Sequence, residues 1–502
     1  MARIAVIGAG MGAMGAAARL AVAGHRVAVY ERGETYGGAV RRFERDGFSF
    51  DTGPGLLTLP AVYRDLFVKT GKRPLEECVE LVQVDPSSRH VFPDGTEAVL
   101  PNASRAGVVQ SLNAALGAGA GDRWGDFLIR AREAWDRTRR PLLEEPLWTD
   151  WRVLAEREPY PAVPHKRLLR TRRAGTLAEI AAWELRDPRL TALLDSHALA
   201  FGLDPREVPA SAAVLPYMEH AFGTWYVRGG IRELARAVYE RCLERRVEFV
   251  FGAEVTRVVE KDGRAAGLEL ADGTVAEADQ VVAGVDPVRL KGLTGHALDE
   301  EGDVFPDASA PSPGRFTVLL ALRGAREAAA AHRTVVHAPD REAELDWLSG
   351  EGDGPVRPTV TVLRPDDPAL RPDGEHESVV LTAVAGRRGN RDVEDSPEGF
   401  ANLLVGAAEA AVPGLRERIL WREIRTPGRN GEETGAYYGG VSAPSLAGGN
   451  GDFLHPANST RLPGLYRVGG WSHPGGGLAH AGMSGALVAG LIVEGPDFRG
   501  SQ

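Results

Sequence analysis

The chain has 502 residues, 43% of them hydrophobic and 25% charged, which is globular composition with length for two or three domains. A net charge of -10 argues against a broad cationic face for nucleic acid. Cys78 and Cys242 are the only cysteines, which excludes a disulfide framework and a metal-thiolate cluster; a reducing, cytoplasmic setting is expected, with no metal.

Residues 4–7 form a short apolar run ending at Gly8, the pattern of a buried parallel strand. This run is too short and too quickly followed by glycine to be a secretory leader. Residues 12–23 are Ala-rich and predict a helix stopped at Gly24, and residues 26–30 predict a second strand closed by Glu31. Together they make a complete βαβ unit. Residues 60–216 read as mostly helical, with helices expected over 124–140, 177–185 and 188–200. Strands are expected over 247–251, 254–260 and 266–270. Asp272-Gly273 then serves as a hairpin turn before 274–278, and residues 281–282 return to a parallel sheet. Further strands are expected over 317–322, 334–337, 359–363 and 378–383, with a helix over 397–411. A strand at 465–468 and a helix over 483–493 follow; the longest apolar run, 486–493, is far short of the roughly 18 residues that span a bilayer.

Gly8-Ala9-Gly10-Met11-Gly12-Ala13 fits G-x-G-x-x-G/A between a strand and a helix. Gly8 permits the tight turn, Gly10 lets backbone approach a pyrophosphate, and the small Ala13 allows close helix–sheet packing. The helix start offers free N–H groups to the phosphates, and Glu31 is placed to accept from a ribose hydroxyl pair. Arg32, the pair Gly37-Gly38 and the segment of residues 47–54 ending in Gly53-Pro54 favour FAD over NAD. The expected fold is α/β, a Rossmann-type FAD-binding domain with an inserted mixed α+β domain. The FAD-binding domain is assigned to 1–60, 220–290 and 430–502, and the substrate domain to 61–219 and 291–429.

The order GAGMGA, YER, GG and DGFSFDTGP resembles bacterial phytoene desaturases and related carotenoid-type FAD oxidoreductases, relatives of the flavin amine oxidases. The likeness continues through DPRLTALLDSHALAFGLDP, through residues 216–258 (PYMEHAFGTWYVRGG onward), and through RPDDPALRPDG and LPGLYRVGGWSHPGGG. The resemblance implies FAD lying across the Rossmann unit, a C-terminal glycine segment over the flavin, and an apolar tunnel for a polyene in the inserted domain. Gly8, Gly10, Ala13, Glu31, Arg32, Gly37, Gly38, Gly53 and Pro54 would then line the cofactor. Val255 would meet the adenine through its backbone, and Gly469, Gly470 and Met483 would touch the flavin. Two departures stand out. Ala39 follows the paired glycines where the family has Arg, with Arg41 two residues on. Gly477-Leu478-Ala479-His480-Ala481 replaces a glycine-rich stretch expected beside the substrate.

The expected activity is desaturation of an apolar polyene or isoprenoid-like substrate, with oxygen or a quinone reoxidising the flavin. Isomerisation, saturation or oxidation of a non-carotenoid metabolite in the same frame, and a polyene carrier without turnover, stay open as alternatives. His480, His473, Tyr226 and Arg228 are the candidate catalytic residues, each with a structural role as its alternative; His480 would titrate near neutrality beside the cofactor. Trp148, Trp151 and Trp183 are candidates for either a tunnel wall or helix cores. The basic segment 165–173, with Arg170, Arg172 and Arg173, is either a peripheral membrane contact or a solvated helical face.

Overall fold

The computed structural model describes residues 1–165, 170–299, 312–352, 356–386 and 389–500. A parallel sheet of five strands runs in the order Glu248–Phe251, Arg26–Glu31, Arg3–Ile7, Gln280–Ala283, Leu465–Arg467. Every neighbouring pair in it is parallel. Arg3–Ile7 lies at the centre and is apolar because both of its faces are covered. Ile4 and Val6 face the helix Met11–Val22. Ala5 and Ile7 face an antiparallel layer of Val255–Lys261, Arg264–Leu270 and Val275–Glu277. The turn at Asp272-Gly273 forms as expected, with the Thr274 N–H donating to Asp272 Oδ1 at 2.9 Å.

A second sheet has seven strands. Their order is Ile419–Arg425, Gly314–Arg323, His376–Ala385, Val360–Leu363, Arg333–Val336, Ser88–Val91, Glu97–Leu100. All neighbours are antiparallel except Arg333–Val336 with Ser88–Val91. Phe316, Val318 and Leu320 pack under the helix Pro397–Ala408. The alternation of a strand therefore turns Arg315 and Thr317 to the other face.

Several elements differ from the sequence reading. The stretch 60–216 holds strands beside its helices, among them Leu81–Gln83, Ser88–Val91 and Glu97–Leu100. Strands of three or four residues carry too little alternation to be read; pairing with distant segments creates them, as Leu81–Gln83 does with Trp225–Val227. Ile419–Arg425 is an edge strand rich in charge, and Arg42–Arg45 with Phe48–Asp51 forms a hairpin just after the paired glycines. The C-terminal helix, Leu478–Glu494, starts before residue 483 and so takes in His480. Lys166, Arg167, Leu168 and Leu169 of the basic segment lie outside the described residues; on either side Val163–His165 and Arg170–Arg172 pair as a hairpin, not a helix. Among the described residues no helix is long and apolar enough to cross a membrane.

Candidate functional site

Between the glycine turns of the parallel sheet and the open face of the seven-stranded sheet lies a cavity of about 580 Å³. Its first wall is the N-terminal turn. The N–H groups at the start of Met11–Val22 have no intrahelical acceptor and point the positive end of the helix at this space. A Cβ placed on Gly10 would meet nothing within 4 Å, so the protein leaves that volume free for a ligand. A Cβ on Gly12 would stand 2.6 Å from the Ala481 carbonyl oxygen and 2.9 Å from Gly469 Cα, so glycine there lets the two glycine segments touch. Arg41 also lines the cavity, its Nε donating to the Gly38 carbonyl at 2.9 Å. Open volume at Gly10, unpaired N–H groups and a cation beside them fit the pyrophosphate of a dinucleotide.

Of the residues expected to hold the cofactor, Gly10, Ala13, Gly37, Gly38, Gly53, Pro54, Gly469 and Gly470 line this cavity. Gly8, Glu31, Arg32, Val255 and Met483 do not. Gly8 lies beneath the turn, donating its N–H to the Tyr30 carbonyl. Glu31 is buried and accepts from the Ala9 and Gly33 N–H groups, both at 2.8 Å, which ties the phosphate turn to the second strand. Arg32 donates to the Glu432 carbonyl at 2.5 Å. Val255 is buried in the antiparallel layer, and Met483 packs against the helical core.

None of the four candidate catalytic residues lines the cavity. The Tyr226 hydroxyl donates to Asp367 Oδ2 at 2.8 Å, an oxygen that also receives the Gly229 N–H at 2.6 Å, and burial first, then Asp367, pushes the phenol pKa far up. Arg228 donates to the Asp366 carbonyl. His473 is fully buried, precedes a cis proline, and its Nε2 lies 2.9 Å from the Glu145 carbonyl oxygen. His480 stands in the first turn of the last helix; it borders a small gap with Trp135, Leu142 and Ser211, whereas Leu478 and Ala481 line the main cavity. Burial, reinforced by His473 and His455, lowers the His480 pKa to about 4. It is therefore neutral through the physiological range, and the expectation of a group titrating near neutrality there is corrected. Trp148, Trp151 and Trp183 are off the cavity as well: Trp151 sits in a small core with Leu454 and Ala447. Trp471 and Trp347 line it instead.

The second wall was not foreseen. Register places Arg425 opposite Thr317, Thr317 opposite Thr382, Thr382 opposite Thr361, Thr361 opposite Val335, and Val335 opposite His90. One row of side chains thus crosses six strands. Towards its His90 end, Arg333 forms an ion pair with Glu219, with Nη1 at 2.9 Å from Oε2. Burial opposes ionisation of Glu219, but the guanidinium prevails and lowers its pKa. His90 is buried with Ser88 Oγ and His337 Nε2 each at 3.0 Å, and burial holds its pKa well below the usual imidazole value. Glu344 also lines the cavity; burial raises its pKa to about 7, and it accepts from the Thr359 N–H and hydroxyl. Only the pairing of strands far apart in the chain brings these residues together.

A Rossmann turn with an open pyrophosphate position, closed on its far side by a second sheet, defines a dinucleotide-dependent oxidoreductase of the flavoprotein type. Residues 14–493 match the flavin containing amine oxidoreductase family, and the chain belongs to it. It is similar over nearly its full length to a 4,4'-diapolycopene oxygenase of Methylomonas sp., at 29% identity covering 98% of each chain. It is 30% identical to a hydroxyneurosporene desaturase of Rhodobacter capsulatus, over 98% of this chain and 97% of that one. Among solved structures, an oxidoreductase from Methanosarcina mazei shares the fold with a TM-score of 0.65 at 18% identity, covering 97% of this chain and 99% of that one. A putrescine oxidase shares it with a TM-score of 0.66 at 14% identity, over 98% and 99%.

Proposed function

We propose that the chain is an FAD-dependent desaturase that removes hydrogen from an apolar, polyene or isoprenoid-like substrate. The observation that carries this reading is one continuous cavity running from the Gly10 position to the face of the second sheet, so that a cofactor and a substrate would share it. The full-length likeness to relatives named for acting on diapolycopene and hydroxyneurosporene supports the substrate class. In this reading segments 1–60, 220–290 and 430–502 hold the cofactor, and 61–219 with 291–429 hold the substrate. Bound FAD supplies the hydride acceptor. The chain's own work is binding and exclusion. The first-turn N–H groups and Arg41 bind the phosphates, while Leu215, Leu363, Val335 and Leu478 keep water from the substrate and hold it extended.

The test is to mix purified holoprotein anaerobically with acyclic polyenes and follow flavin absorbance and product mass. Bleaching with a product lighter by two hydrogens is expected. A product of unchanged mass would replace desaturation by isomerisation, and a flavin that stays oxidised with every polyene would overturn the reading.

A further inference from the structure

The sheet face that closes the cavity carries groups that a pure hydrocarbon would leave unsatisfied. Three other cations on the cavity wall have partners within the chain: Arg333 has Glu219, Arg425 has Glu433, and Arg41 has the Gly38 carbonyl. Arg315 differs. Its backbone carbonyl accepts from Asn430 Nδ2 at 2.8 Å, but among the described residues its guanidinium has neither a carboxylate nor a hydrogen-bond acceptor. No charge is near enough to influence it; burial alone acts on its pKa, and lowers it. Arg315 faces Val384 across the ladder, and Thr317, two residues on, faces Thr382, so Thr382 is the diagonal neighbour of Arg315. Thr382 in turn stands opposite Thr361. Both threonines line the cavity, and neither hydroxyl has a hydrogen-bond partner among the described residues.

A guanidinium and two hydroxyls thus lie side by side in one strip, pointed at the substrate space. All three side chains are half-buried at the cavity wall, and an apolar ligand filling that space would strip a lone guanidinium and two unpaired hydroxyls of their water, which is strongly unfavourable. A planar guanidinium is the side chain best matched to a carboxylate, through two parallel N–H···O bonds. We propose that the substrate is an elongated apolar molecule bearing a carboxylate, and that Arg315, flanked by Thr382 and Thr361, receives that group. This rests on the desaturase reading above and narrows its substrate. A phosphate of the cofactor offers the same anionic chemistry, and the experiment separates the two sources.

The probes are all-trans-retinoic acid, its methyl ester and palmitate, titrated into the holoprotein while flavin absorbance and fluorescence are followed. The wild type should bind retinoic acid at least tenfold more tightly than the ester, a comparison that needs no variant. Arg315→Gln should lose that preference while keeping its flavin and its affinity for the ester, and Arg315→Lys should restore part of it. Equal affinity of acid and ester in the wild type would overturn the proposal. So would an Arg315→Gln protein that purifies without flavin, since the anion would then be the cofactor's phosphate. Arg315-dependent binding of palmitate, with no binding of either retinoid, would uphold the carboxylate site and reject the polyene. Equal kcat/KM of wild type and Arg315→Gln on a hydrocarbon polyene, with no acid preference, would uphold desaturation and reject the carboxylate site.

Discussion

Gly10 and Gly12 are two residues apart in one turn, yet replacing each by alanine should have opposite consequences. Gly10 has φ -73° and ψ 167°, which any L-residue adopts, and its added methyl would meet no protein atom within 4 Å. The apoprotein should therefore keep its stability to within about 0.5 kcal/mol, as for a neutral surface change. The methyl would occupy the volume assigned to the pyrophosphate. Losing two charge-assisted N–H···O bonds at about 1.5 kcal/mol each weakens cofactor binding by about 3 kcal/mol, or more than a hundredfold. Gly12 is the converse. Its methyl would fall 2.6 Å from the Ala481 carbonyl oxygen and 2.9 Å from Gly469 Cα, both backbone atoms that yield only if two segments separate. Overpacking of this kind costs about 1–3 kcal/mol in the fold itself. Urea unfolding of the two apoproteins, with FAD titration by fluorescence quenching, reads both quantities. A Gly10→Ala protein that binds FAD normally, or whose apo form is destabilised as much as Gly12→Ala, would refute the assignment of that open volume to the cofactor.

Three further outcomes are expected. His480→Gln should leave kcat/KM and its pH profile unchanged from pH 6 to 9, because the imidazole is already neutral there. The folded pKa of about 4 lies below the ordinary 6.5, so the stability His480 contributes is complete above 6.5 and falls as pH drops towards 4. Between pH 7 and pH 5 the wild type should lose about 2 kcal/mol relative to His480→Gln in urea titrations. Arg364→Met would leave Glu377, which is 1% exposed and accepts from Arg364 Nε at 2.6 Å, with Arg418 Nη2 at 2.8 Å as its remaining cation; it should cost about 3 kcal/mol, the low end for a broken buried pair. Replacing Glu377 by Leu as well should recover part of that loss in calorimetry. Tyr226→Phe removes one hydrogen bond to a carboxylate that keeps the Gly229 N–H, so a stability loss of about 1.5 kcal/mol with normal flavin content and turnover is expected. A collapse of turnover with stability retained would return Tyr226 to the reaction.

What could be read from the sequence was whatever neighbouring residues decide among themselves. The βαβ unit, the phosphate turn and the Asp272-Gly273 hairpin depend on contacts within a few dozen residues, and their glycine and apolar patterns state the geometry directly. The second wall of the cavity depends on register between strands separated in the chain, widely so for Thr317 with Arg425 and Val335 with His90. Nothing around Arg425 or His90 signals that Thr317, Thr382, Thr361 and Val335 will stand between them in one row. Burial was equally hidden. His480 in a glycine-rich segment looks like an available base, and only the packing of Trp135, Leu142 and Ser211 around it shows an imidazole kept neutral. Glu31 is an intermediate case. Its distance from the glycines points to a cofactor ligand, while its two backbone hydrogen bonds show a side chain that holds the turn in shape.

The parallel sheet has a consequence for how the protein is made. Arg3–Ile7 and Arg26–Glu31 leave the ribosome close together, but their neighbours Gln280–Ala283 and Leu465–Arg467 emerge much later. At roughly 5–20 residues per second the phosphate turn waits on the order of tens of seconds for Gly469 and the helix Leu478–Glu494 that complete it. Until the layer of residues 255–277 has emerged, the Ala5 and Ile7 face of the central strand is uncovered. FAD becomes a ligand that can trap the native state only once synthesis has passed the helix Leu478–Glu494.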